Sequence, residues 1–145
     1  MSKREDIANN LVSTISGISS PDIKKVTRQP FELDELAQQQ YPAVLVQTIE
    51  ETKEDQELGS GAKTRICTLE FGITGYIKGS ESNIDTARNE LMTAIETELE
   101  SDITRNNKAL DTEIISVETD AGSLFPYGAI LMTVRVIYEH QSATP

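Results

Sequence analysis

The sequence predicts an α+β domain, an antiparallel or mixed β-sheet with two main helices packed on one face. Three observations carry this expectation. From Arg65 to Ile77, the residues Cys67, Leu69, Phe71, Ile73 and Ile77 occupy alternate positions, while Thr68, Glu70 and Thr74 take the other side, which is the period of a half-buried strand. From Ile84 onward, Ala87, Leu91, Ile95 and Leu99 follow at spacings of three and four, giving a helix one apolar stripe. The third is the run from Ala129 to Tyr138, the most hydrophobic of the chain and of strand length. Strand and helix can bury each other, but two elements make too thin a core, so the remaining segments must extend the sheet.

Each element has its own signal. Ser2 with Glu5 resembles a capping box, and Ile7, Leu11, Ile15 and Ile18 form a stripe, so a first helix is expected from Lys3 to Ser16. Gly17 suits the left-handed position that closes many helices. A short strand is expected over Ile23 to Thr27, ended by Gln29-Pro30 because proline cannot donate to a ladder. One helical turn could lie near Asp34 to Gln38. Pro42 to Ile49 reads as a central strand. Glu50 to Lys63 has almost no apolar content, a strong acidic bias and two glycines, so a mobile acidic loop joining two antiparallel strands is expected at about 50–63. Ser82 with Asp85 resembles another capping box, placing the second helix start near Asn83. Asn106-Asn107 marks a turn, Thr112 to Glu118 a strand, and Thr119 to Gly128 a loop with Leu124, Phe125 and Tyr127 where polar residues are usual. The last strand, Ala129 to Tyr138, leaves a short tail.

At 145 residues the chain is read as a single domain, 1–145, large enough to fold without metal or disulfide. No run approaches the roughly 20 apolar residues of a membrane span, and no apolar segment follows Met1 to Asp6, so a soluble protein made in a reducing compartment is expected. Cys67, the one cysteine, sits on the apolar side of its strand as a small packed hydrophobe. The formal net charge of -11 and a pI near 4.5 argue against gripping nucleic acid through phosphates, which needs clustered Lys and Arg. They do not argue against DNA passing nearby, since an acidic surface repels phosphates over about 10 Å.

Catalytic and ligand motifs fail on inspection. Gly59-Ser60-Gly61-Ala62-Lys63-Thr64 looks like a phosphate loop, but Ala62 replaces the glycine before the lysine and a strand follows, so no helix N-terminus receives the anion. Ser60 and Lys63 fit Ser-x-x-Lys, yet in a glycine loop with no second motif. His140 is the only histidine and lies near the C-terminal tail, so neither a His/Cys metal set nor a Ser-His-Asp triad assembles. No enzyme activity and no cofactor are expected.

The charge pattern yields the candidate contact residues. Glu96, Glu98, Glu100 and Asp102 gather at the C-terminal end of the second helix, where the dipole is already negative. They are either a solvated face or an acidic wall turned to something negative. Glu50, Glu51, Glu54, Asp55 and Glu57 form either a solvated loop or a contact arm facing a lumen. Phe125 and Tyr127 either fold back on the core or insert into a neighbouring subunit.

The order helix, short strand, strand, acidic loop, long strand, helix, strand, aromatic loop, strand resembles the tail terminator (minor tail protein U-like) proteins of tailed bacteriophages. The residues that carry the likeness are Pro42-Ala43-Val44-Leu45-Val46, Phe71-Gly72-Ile73-Thr74-Gly75-Tyr76-Ile77 and Leu131-Met132-Thr133-Val134-Arg135-Val136-Ile137-Tyr138. The resemblance implies an antiparallel sheet with helices on one side, and six copies in a ring on the end of the tail tube. It implies a ring that stops tube polymerisation and offers a surface to the head connector, while the genome later passes through without being gripped. The implied partners are the chain itself, the tube protein and the connector, in a virion tail assembled in the host cytoplasm. No individual functional residue is carried over. Alternatives are another neck or tail-completion protein, or a small intracellular ligand-binding or regulatory module, which should show polar groups converging in an apolar cleft.

Overall fold

The computed structural model describes residues 2–31, 41–55, 64–79, 82–122 and 126–141. The elements are α1 (Lys3–Ser16), β1 (Lys25–Thr27), β2 (Ala43–Asp55), β3 (Thr64–Lys78), α2 (Ile84–Glu100), β4 (Asp111–Thr119) and β5 (Tyr127–Gln141). They build one five-stranded sheet in the order β1-β2-β3-β5-β4, antiparallel except for the β1–β2 pair. This is the α+β architecture expected, with both helices on one face.

The alternation in β3 does what its period predicts. Cys67, Leu69, Phe71, Ile73 and Ile77 are buried under the helices beside Met132, Val134, Val136 and Tyr138 of β5. The α2 stripe, Ile84, Leu91, Ile95 and Leu99, closes the core, and α1 adds Ile7, Ala8, Leu11 and Ile15. Gly75 lets α2 sit close, because a Cβ there would come within 2.8 Å of Leu91 Cδ2 and 3.0 Å of Ile130 Cγ1.

Several expectations change. Glu50–Asp55 are not loop: they continue β2 and pair with Arg65–Glu70, since a ladder partner already fixed by the core outweighs local polarity. Gln56–Lys63, and with them Glu57, lie outside the described residues, as do residues 32–40 and Phe125. Gly17 is right-handed (φ −79°), and its N–H bonds to the Ser13 and Thr14 carbonyls, so a tightened last turn closes α1. Ser2 does cap α1, accepting from the Glu5 N–H at 3.2 Å. At α2 the cap position falls on Asn83 without a side-chain cap bond, and the Asp85 carboxylate pairs with Arg88 at 3.0 Å. The tail placement of His140 is also corrected: β5 runs through it and it is 5% exposed.

Candidate functional site

Three assemblies of polar side chains could hold chemistry, and each is built by the register of the sheet. The first lies at the far end of the helix-covered face. The β2 bulge between Thr48 and Glu50 shifts the strand by one residue, so Glu51 and Lys53 face inward opposite Leu69 and Cys67. Arg4 of α1 grips the Glu51 carboxylate with Nε at 3.2 Å and Nη2 at 2.6 Å, and the Tyr138 hydroxyl donates to it as well. Lys53 Nζ lies 3.4 Å from Glu51 Oε2, 2.8 Å from His140 Nε2 and 3.6 Å from Cys67 Sγ.

Burial pushes the Glu51 carboxyl up, but the bonds from Arg4 and Tyr138 and the Lys53 charge outweigh it and hold the group below its ordinary range. Tyr138 is pushed the other way, first by burial and then by the carboxylate it bonds. A cysteine beside a lysine and a histidine has the parts of a nucleophilic site. Cys67 and Tyr138 are fully buried, however, so no substrate atom reaches them. The cluster ties α1 to the sheet. Glu51→Gln is expected to cost about 2 kcal/mol at neutral pH, the worth of a charge-assisted bond between partly buried groups. A depressed carboxyl stabilises above its unfolded pKa and loses that contribution as pH falls through its folded value. The deficit of the variant should therefore shrink in denaturant titrations taken from pH 7 towards pH 3, and a constant deficit would reject this role for the charge.

The second assembly closes α2. Arg105 is fully buried, and its guanidinium donates to the carbonyls of Leu99 and Asp102 and, at 3.2 Å, to Asn10 Oδ1. Asp102 folds back on its own turn: it accepts from Asn106 N at 2.8 Å and from Thr104 N and Oγ1 at 3.2 and 2.9 Å, and these bonds, Asn106 first, lower its pKa against burial. The carbonyl end of α2 thus has a buried cation against it, while Glu98 and Glu100 stay exposed and Glu96 half-buried. The third is the Arg88–Asp120 pair at 2.6 Å, with side chains 8% and 4% exposed, which docks α2 on the turn before β5.

Among the described residues no group of three His, Cys, Asp or Glu side chains converges as a metal site, and no helix is long and apolar enough to cross a membrane. An open groove of about 760 Å³ runs between the turn at Gly17 to Pro21 and the outward side of α2. Its walls are mostly Ser, Thr, Asn and Glu side chains, so it is not an apolar cleft with a few converging polar groups.

The other predicted residues scatter. Glu50 and Glu54 are exposed on the side of β2 turned away from the helices, and Asp55 ends that strand. Tyr127 opens β5, its ring 5.6 Å from the Tyr41 ring, with Lys78 Nζ 5.6 Å from its centroid. Sequence reasoning missed Ile49 and Leu131, which are 60% and 41% exposed on the helix-free face. A Cβ at Gly72 would meet Ile49 Cδ1 at 2.8 Å and Leu131 Cδ1 at 3.8 Å, so glycine lets the Ile49 side chain lie across β3 towards Leu131. The signal for Leu131 was the unbroken apolar run of β5, in which every second residue had to face outward. Ile49 had none, because its direction is set by the bulge.

No family model and no curated protein matches the chain. Among solved structures it is similar to a chain described as "Virion of native gene transfer agent (GTA) particle", with 94% of each chain covered, 8% identity and a TM-score of 0.44.

Proposed function

We propose that the chain is a structural, non-enzymatic protein of a phage-like virion, a tail terminator whose copies form a hexameric ring on the end of the tail tube. One observation carries the reading. The fold implied by the sequence resemblance, a mainly antiparallel sheet with both helices on one side in the order α1-β1-β2-β3-α2-β4-β5, is the fold observed. The ring ends tube growth, meets the head connector, and lets DNA cross. The exposed Glu98 and Glu100 at the end of α2 suit a wall that repels phosphates. A head-to-tail ring uses two different surfaces of each copy.

Native mass across protein and salt concentration tests this. A hexamer, or a monomer that converts to one as concentration rises and salt screens the acidic surfaces, is expected. A stable dimer with no larger species would overturn the ring.

A further inference from the structure

The helix-free face of the sheet is divided in two, and the register shows where. At one end the outward rows are Glu54–Ile66–Glu139, Thr52–Thr68–Ile137–Asp111 and Glu50–Glu70–Arg135–Glu113. Those rows hold many carboxylates and one cation, Arg135, whose Nη2 is 3.3 Å from Glu70 Oε1. Glu50 stands directly opposite Glu70, a like-charge pair that disfavours the isolated sheet. At the other end the rows are Gln47–Gly72–Thr133–Ser116 and Leu45–Thr74–Leu131–Glu118, with Ile49 lying over Gly72; Leu45 is buried, so the exposed aliphatic side chains of these rows are Ile49 and Leu131. The β4 bulge between Ile114 and Ser116 falls at almost the same level as the β2 bulge, and its Ile115 is 44% exposed. An aliphatic patch therefore borders a carboxylate field on one continuous surface.

We propose that this face docks a different protein, one that presents an aliphatic contact bordered by lysine and arginine. Charge complementarity selects that occupant. Neither half is explained by folding, since the aliphatic side chains stay exposed and the carboxylates repel one another. A second copy of this chain lacks the matching surface: it holds 13 Lys and Arg against 24 Asp and Glu. Many of those cations are engaged, Arg4 on Glu51, Lys24 on Asp22, Arg28 on Glu5 and Arg88 on Asp85 and Asp120, while Arg105 is buried. Edge-to-edge pairing of copies is also disfavoured, because β4 and β2 each carry a bulge and acidic residues, both of which blunt sheet extension. The inference goes beyond the ring and does not require it.

The test uses the full chain and synthetic peptides of about ten residues that alternate leucine with lysine, beside Ser/Lys and Leu/Glu controls. The Leu/Lys peptide is expected to bind at least roughly tenfold more tightly than either control, with NMR shifts confined to the outward rows of β2, β3, β5 and β4. Ile49→Ser with Leu131→Ser, and separately Glu50→Gln with Glu54→Gln and Glu113→Gln, should each weaken binding roughly tenfold. All five positions lie on the surface, so both variants should fold with a cooperative melt, that of the Gln variant no lower than wild type because it relieves the Glu50–Glu70 repulsion. Equal binding of Ser/Lys and Leu/Lys peptides, shifts on the helix side, or affinity untouched by either variant would overturn the proposal. Loss of the hexamer in the Ile49/Leu131 variant would also overturn it, by showing that a second copy covers the patch while the ring itself stands. Peptide binding by a chain that never forms a ring would uphold the docking face and reject the ring.

Discussion

Leu91→Asp is expected to leave a chain with no cooperative unfolding transition. Leu91 is fully buried at the centre of α2, and its Cδ2 occupies the space that the missing side chain of Gly75 leaves open on β3. An aspartate there loses the transfer energy of a leucine, leaves a cavity where two elements meet most closely, and buries a carboxylate with no cation in its place. Those terms together are of the order of the 5–15 kcal/mol that usually holds a domain of this size folded. Circular dichroism melts and near-ultraviolet spectra check it. Retention of a sharp transition would mean that α2 turns a different face to the sheet. Leu91→Met, which keeps volume, should melt near wild type and serves as the control.

The second large effect is expected at Arg105. Arg105→Met should lower unfolding free energy by about 3 kcal/mol, because the carbonyls of Leu99 and Asp102 lose their donor in a buried place and each orphaned group costs about 1–3 kcal/mol. The carbonyl end of α2 would then face Glu98 and Glu100 without the buried guanidinium. Backbone strain separates this account from a purely steric one. Arg105, Asn106 and Asn107 have φ of 48°, 58° and 65°, a run that asparagine tolerates and arginine does not favour. Arg105→Gly relieves that strain while removing the same bonds, so it should be destabilised less than Arg105→Met. Denaturant midpoints give both values. A loss below about 0.5 kcal/mol in the methionine variant would show that the guanidinium does not hold the helix end.

Much of the fold was legible because periodicity reports which side of an element is buried. The alternation of Cys67, Leu69, Phe71 and Ile73 and the stripe of Ile84, Leu91, Ile95 and Leu99 required a strand and a helix packed together, and the structure packs them so. Chain order and turn residues then placed the other strands within a few positions. The boundaries that failed did so for one reason. Glu50 to Asp55 look like loop from composition alone, but β3 already offers a paired edge and takes them into the ladder. His140 looks terminal, but Tyr138 is a core residue and pulls the strand on past it.

The candidate contact residues were legible only as charge. The sequence offers Glu50, Glu51 and Glu54 as equivalent carboxylates of one acidic stretch. Strand alternation makes them different and the β2 bulge decides which way each turns, Glu51 inward to Arg4 and Tyr138 while Glu50 stays outside opposite Glu70. Glu96, Glu98 and Glu100 could be seen to crowd a helix end, but not that Arg105, several residues on, folds back beneath it.

What the sequence by itself determined is the class of the fold, the faces of its main strand and main helix, and an acidic chain poor in catalytic motifs, because each of these depends on residue type and spacing along the chain. Only the tertiary structure decided which carboxylates are buried against cations, where the two bulges turn Ile49 and Ile115, and that an aliphatic patch and a carboxylate field share one side of the sheet. Those depend on cross-strand register, and register is set by contacts between segments far apart in the chain.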